Sequence, residues 1–211
     1  EKNAGAAGYD WVIGVGDPQP QNADLALLIL NTPPVNETRD RYNEVEALSG
    51  WKFNDTLRGD DIIPSQVGGG GFIGCDALDQ AGLDRIAGLD ALVPPLAAGT
   101  ATPLASVIAN SVTNFCLLTG DFVWGEGNIL LGGEGSDQLE GRGANDILDG
   151  DRYLNVRLSI RANPDGTGAE IGSTDLMENK AVTGSFGSGT TNMTLQQAVF
   201  AVLVDPGQIV A

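Results

Sequence analysis

Two successive nine-residue stretches constrain this chain more than anything else in it: Gly132-Gly133-Glu134-Gly135-Ser136-Asp137-Gln138-Leu139-Glu140, then Gly141-Arg142-Gly143-Ala144-Asn145-Asp146-Ile147-Leu148-Asp149. Asp137 and Asp146 stand nine apart, as do Leu130, Leu139 and Leu148 in turn. A period of the form G-G-x-G-x-D-x-U-x, with U a large aliphatic, is the signature of a parallel β-roll with calcium in its turns. Glycines permit the backbone of a tight turn whose carbonyls point at a cation. The aspartate supplies a hard anionic oxygen, the ligand type calcium takes. The remaining x-U-x is a three-residue strand with its middle side chain inward, which places Leu130, Leu139 and Leu148 in the core. The expected fold class is mainly β with some helix: a short parallel β-roll with calcium-binding nonapeptide turns, a partly helical insertion and flanking strands.

The run resembles the repeats-in-toxin (RTX) calcium-binding family of secreted bacterial proteins. In that family each nonapeptide is half a coil, so turns on one side recur every eighteen residues and share an ion. The resemblance implies that Asn128 and Asp146 lie on one side. It puts Asp137 on the other, with Asp151 or Asn155 as candidate neighbours. Its first repeat matches fully. In the second, Arg142 and Ala144 stand where glycines are expected, and upstream Asn128 stands for the aspartate. Downstream the register puts Arg157 at the apolar position, so the roll is expected to end near Tyr153.

An earlier stretch repeats the offsets. Gly50, Asp55, Leu57 and Gly59 fall as Gly141, Asp146, Leu148 and Gly150 do, with Asn before the aspartate and Gly-Asp after. A lone coil cannot bury its leucine, so residues 45–61 are expected to stack on residues 121–153 as one discontinuous roll. The expected metal ligands are Asp55, Asp60, Asp61, Asn128, Gly133, Gly135, Asp137, Asn145, Asp146, Asp149 and Asp151, with Ca2+ as the cofactor. Residues 1–44 read as N-terminal strands packing on the roll: one over Tyr9–Val15, and a buried one over Ala23–Leu30. Residues 62–120 read as a partly helical insertion, opening on four glycines at 68–71 and carrying Leu78, Leu83, Ile86, Leu89 and Leu92 at helical spacing. Asp76, Asp79, Asp84 and Asp90 are assigned to that helix's wet face. Asp10 and Asp24 are read as capping, ligating or solvated.

Residues 154–211 read as a mainly β segment. Val156, Leu158 and Ile160 alternate inward, Asn163-Pro164-Asp165-Gly166 makes a turn, Thr194 caps a helix, and Asp205-Pro206-Gly207 makes a final turn. The wider pattern, from Asn54–Asp61 through Ala81–Leu89 to Leu154–Ser159, resembles the region that follows the haem peroxidase domain in large secreted bacterial RTX proteins. That implies a longer parent polypeptide and type I secretion.

Composition narrows the function. A net charge of −17 leaves no basic surface for nucleic acid. No apolar run is long enough to cross a membrane. The absence of histidine removes Ser-His-Asp and Cys-His catalysis and most zinc sites. Cys75 and Cys116 are expected either as a disulfide or as two buried thiols. The expectation is therefore a non-enzymatic calcium-binding module, secreted or at the cell surface, whose partners are calcium ions and other domains of a longer polypeptide. A calcium-dependent adhesin is the alternative, in which Trp11, Trp51 or Trp124 meets a cell-surface or carbohydrate ligand. A self-processing module cleaving at Asp17-Pro18 or Asp205-Pro206 is a third.

Overall fold

The computed structural model describes residues 1–5, 8–30, 39–66, 76–94 and 122–210, which form two compact units, Glu1–Leu154 and Asn155–Ala211. The protein is mainly β, with two short α-helices among the described residues.

Strands in the first unit are two or three residues long: β1 (Lys2–Ala4), β2 (Trp11–Ile13), β3 (Asn22–Asp24), β4 (Arg41–Asn43), β5 (Ala47–Ser49), β6 (Thr56–Arg58), β7 (Leu78–Asp79), β8 (Phe122–Trp124), β9 (Ile129–Leu131), β10 (Gln138–Glu140) and β11 (Ile147–Asp149). Most join two parallel sheets, one ordered β11-β9-β5-β2 and the other β10-β6-β3. Consecutive strands alternate between them, β2 to β3, β5 to β6, β9 to β10 to β11, so the chain winds in coils from one sheet to the other and back. Pairing aligns Val12, Leu48, Leu130 and Leu148 in the first sheet. It aligns Ala23, Leu57 and Leu139 in the second. Each of these is the middle residue of its strand. Ala23, Leu48, Leu57 and Leu130 form one buried cluster with Leu25, Tyr42 and Val45, against which Val12 and Leu139 pack. A three-residue strand thus contributes one core side chain, worth about 1.5–3 kcal/mol when it is a fully buried leucine.

The first sheet is covered on its other face as well. Ala47, Ile129 and Leu131 join a second cluster with Leu78, Leu89, Val93 and Trp124. Burial on both faces explains why Ile129-Leu130-Leu131 is apolar throughout. Three of those covering residues, Leu78, Leu89 and Val93, come from the insertion, whose helix is shorter than its leucine spacing predicts: α1 spans Gln80–Arg85 and a separate 3₁₀ turn spans Leu89–Ala91. Gly88 divides them with a left-handed φ of 86°.

Other expectations are corrected. The apolar run after Ala23 is a strand only to Asp24; Leu25 is buried, but the chain then turns and leaves Leu30 90% exposed. The leucine row does not continue inward to Leu148, which is 44% exposed because β10 has no further neighbour in the facing sheet to cover it. Segments 67–75 and 95–121, with Cys75 and Cys116, lie outside the described residues.

The second unit holds an antiparallel sheet ordered β13-β12-β14, from β12 (Leu158–Arg161), β13 (Glu170–Thr174) and β14 (Ile209–Val210). The turn at 163–166 closes on the Gly166 N–H donating to the Asn163 carbonyl. Helix α2 (Leu195–Phe200) starts at a capping box, Thr194 accepting from the Gln197 N–H and Gln197 returning to the Thr194 N–H. Ile160, Phe186, Leu195, Ala198 and Val204 form the core. Val156 precedes β12 and is exposed, so the alternation begins two residues later than its sequence suggests.

Leu57 has no exposed surface and sits between Ala23 and Leu139 in its sheet. Leu57→Ala is expected to cost about 2–5 kcal/mol in urea unfolding, as buried leucine truncations do.

Candidate metal centre

The turns between the sheets stack as the strands do. On one side lie 14–21, 50–55 and 132–137. The Gln21 N–H donates to Asp55 Oδ1 at 2.7 Å and the Asp55 N–H to Asp137 Oδ1 at 2.8 Å, so the carboxylate ending each turn holds the backbone of the coil before it. Asp55 uses its second oxygen within its own turn, accepting from the Trp51 N–H at 2.9 Å. Asp137 does not repeat this: its Oδ2 is buried and has no hydrogen-bond partner. The residue placed like Trp51 in that turn is Gly133, at φ 100°, a left-handed backbone that a side chain resists. A Cβ on Gly133 would run into the Trp51 carbonyl, and one on Gly135 into the Phe53 carbonyl. Two main-chain oxygens and an unpartnered carboxylate oxygen therefore crowd the same pair of turns.

On the opposite side the Asp60 N–H donates to Asn128 Oδ1 and the Asn128 N–H to Asp146 Oδ1, both at 2.8 Å. The Gly143 N–H meets Asp61 Oδ1 at 2.9 Å, and Asn145 Nδ2 meets Glu126 at 3.0 Å. Burial pushes the carboxyls of Asp60 and Asp146 above the usual range. Here the two glycine substitutions of the second repeat take effect. Arg142 and Ala144 both keep the left-handed conformation, each at φ 72°. Arg142 carries its guanidinium to the Asp24 carboxylate at 2.7 and 2.9 Å and to the Gly59 carbonyl at 2.8 Å. Asp24 is therefore neither solvated nor open to an ion. Burial opposes its ionisation, but the Arg142 hydrogen bond and charge prevail and hold its carboxyl below the usual range.

Asp149 is the last residue of β11, and Asp151 follows it. Asp149 accepts from the Asp151 and Arg152 N–H groups and pairs with the Arg152 guanidinium at 2.7 Å. Asp55 is the neighbour of Asp137 on one flank; on the other, the pairing of β11 with β9 brings Gly150 against Gly132. Among the described residues, no three acidic or thiol side chains stand close enough to hold a metal ion between them. An ion in the turns would depend on main-chain carbonyls for much of its shell, which calcium accepts.

Two buried acids escaped the sequence reading. Asp76, assigned to a wet helix face, is 1% exposed, because α1 begins only at Gln80 with Asp79 as its cap. Burial, reinforced by Glu44 and Asp10, pushes its carboxyl up to about 7. Glu46 is 5% exposed and receives the Asp10 N–H at 2.7 Å; burial pushes it up to about 9. Nothing in the local sequence separates these two from solvated acids.

Trp11 and Trp124 belong to the second core cluster, and Trp51 lies under Lys52, whose Nζ is 4.0 Å from the ring centre. Asp205 caps a 3₁₀ turn by accepting from the Gly207 N–H. No helix among the described residues is long and apolar enough to cross a membrane. Comparison with protein families, curated proteins and solved structures finds no match to the chain.

Ala144 is exposed, so Ala144→Gly relieves a left-handed backbone without emptying a core. A gain of about 0.5–1 kcal/mol is expected in thermal melts, strain relief exceeding the added freedom of the unfolded chain. Glu46 adds a pH dependence. Its folded pKa is raised from 4.5 to about 9, so its protonated form stabilises the fold fully below 4.5, and that contribution is lost as pH rises toward 9. In chelator, urea midpoints should fall between pH 5 and pH 8 by less in Glu46→Gln than in the unaltered chain.

Proposed function

We propose that this chain is a non-enzymatic calcium-binding module of RTX type, a short β-roll whose coils are closed by calcium in the nonapeptide turns. The observation that carries the reading is the buried, unpartnered Oδ2 of Asp137, which lies beside Gly132 in the same turn whose Gly133 and Gly135 meet the Trp51 and Phe53 carbonyls. A buried carboxylate oxygen without a donor is costly, and a cation satisfies it. Asp137, Asp55 and those two carbonyls would hold the ion. Bound there, calcium supplies fixed positive charge between coils of a chain whose net charge is −17. Asp60, Asp61, Asn128, Asn145 and Asp146 line the opposite turns and are the second place for calcium. There Arg142 already neutralises Asp24, which lowers the demand for an ion.

Weak extracellular sites, with dissociation constants of about 10⁻⁴–10⁻³ M, fill outside a cell and stay empty inside it. The reading therefore extends to a secreted or cell-surface location, with folding completed after export and other domains of a longer polypeptide as neighbours. Binding to the folded state alone adds stability by mass action, about 2.7 kcal/mol at a hundredfold excess over the dissociation constant.

Two measurements test this. Calcium titration calorimetry on Asp137→Ala should lose at least one equivalent relative to the unaltered chain; equal stoichiometry and affinity would reject the turn site. Chelation should lower the melting temperature well beyond what matched ionic strength does. Overlaid melting curves in chelator and in millimolar calcium would mean that no ion is structural.

A further inference from the structure

We infer that the first unit holds a partly hydrated divalent cation in an acidic cavity built on Asp76 and Glu46, apart from the Asp137 turns and sharing Asp60 and Asn128 with the turns on the opposite side. The cavity has a volume of about 170 Å³ and is lined by Glu44, Glu46, Asp60, Asp76, Asn128 and Tyr42 together with apolar residues. Asp76 points the way. It is 1% exposed, its carboxylate receives the Gly8 N–H, and its Oδ1 is buried with no hydrogen-bond partner. A buried carboxylate is tolerated when it is paired, metal-bound or neutralised by a proton.

No basic side chain lines the cavity wall, although all eleven lysines and arginines lie among the described residues. Segments 67–75 and 95–121, which the structure does not describe, contain no lysine, arginine or histidine, so they carry no basic side chain to the wall. The amino terminus is engaged with Asp40. The wall itself thus supplies no compensating positive charge to these acids.

The polar atoms of the wall fit a hard cation. They include carboxylate and amide oxygens, which suit calcium or magnesium rather than a softer metal. The acids are spread round the wall and do not converge on one point. The volume leaves room for several waters, through which the more distant carboxylates act. Five stretches meet there: the turn after β3, the chain from β4 to β5, the residues after β6, Asp76 of the insertion, and Asn128 before β9. An ion would tie the insertion to the coils.

The test compares the full chain with Asp76→Asn, Glu46→Gln and Asp137→Ala, each checked for folding by circular dichroism. Calcium and magnesium are titrated by calorimetry, and terbium is used as a luminescent substitute. Asp76→Asn should lose one equivalent of divalent ion, or weaken it at least tenfold, while Asp137→Ala retains that equivalent. Glu46→Gln should weaken the same equivalent, and serves alone if Asp76→Asn does not fold. Loss in Asp137→Ala with none in the cavity variants would uphold the turn site and overturn this one; the reverse pattern would do the opposite. Isotherms of both cavity variants that superimpose on the unaltered chain would overturn the inference, leaving wall acids that are simply protonated.

Discussion

The first unit depends on one contact, made four times: an aspartate or asparagine ending a turn accepts the backbone N–H of the coil stacked before it. Asp55 holds Gln21 and Asp137 holds Asp55 on one side, while Asn128 holds Asp60 and Asp146 holds Asn128 on the other. Three-residue strands make few ladder hydrogen bonds of their own, so coil spacing is set as much at the turns as in the sheets. An alanine at any of these positions would leave a backbone donor without its acceptor, at a cost of about 1–3 kcal/mol where that donor is buried. The turn carboxylate is thus a structural element before any question of metal arises.

That contact also explains how the two sides differ. It consumes one oxygen of each aspartate and leaves the second to find its own partner. Asp55 finds the Trp51 N–H, but Asp137 faces a left-handed glycine and finds none. On the opposite side the chain supplies its own cation, because Arg142 replaces a glycine and reaches both Asp24 and Gly59. The departure from the repeat that weakens a ligand assignment at 142 is therefore an ion pair bridging coils. Removing either partner would leave the other charged and half-desolvated, so the pair fixes register more surely than it adds stability.

Acidity is distributed by depth. Glu134, Asp151 and Asp165 are exposed and solvated, whereas Asp24, Glu46, Asp55, Asp60 and Asp76 are buried. Of these five, Asp24 has an arginine, Asp55 accepts a backbone N–H at each oxygen, and Glu46, Asp60 and Asp76 share a cavity wall. The cost of burying the last three falls on the part of the unit where the insertion meets the coils, which is where an external cation would have most effect on folding.

The sequence by itself determined what lies within a coil. The nine-residue period fixed which residue of each strand faces inward, the glycines marked the turns, and Thr194 and Asp205 announced their caps, because each of these signals acts over a few residues of chain. The resemblance of residues 50–59 to 141–150 rightly indicated that separated stretches share a structure. It did not indicate which repeat would be the neighbour: Leu57 pairs with Leu139, not Leu148, since the repeat is identical in either register and only the stacking order chooses. The same order left Leu148 at an edge and exposed. Tertiary structure alone decided the burial of Asp76 and Glu46 and the meeting of Arg142 with Asp24, 118 residues apart. A side chain's local sequence states its chemistry and its direction from the backbone; what covers it depends on segments that arrive from elsewhere in the chain.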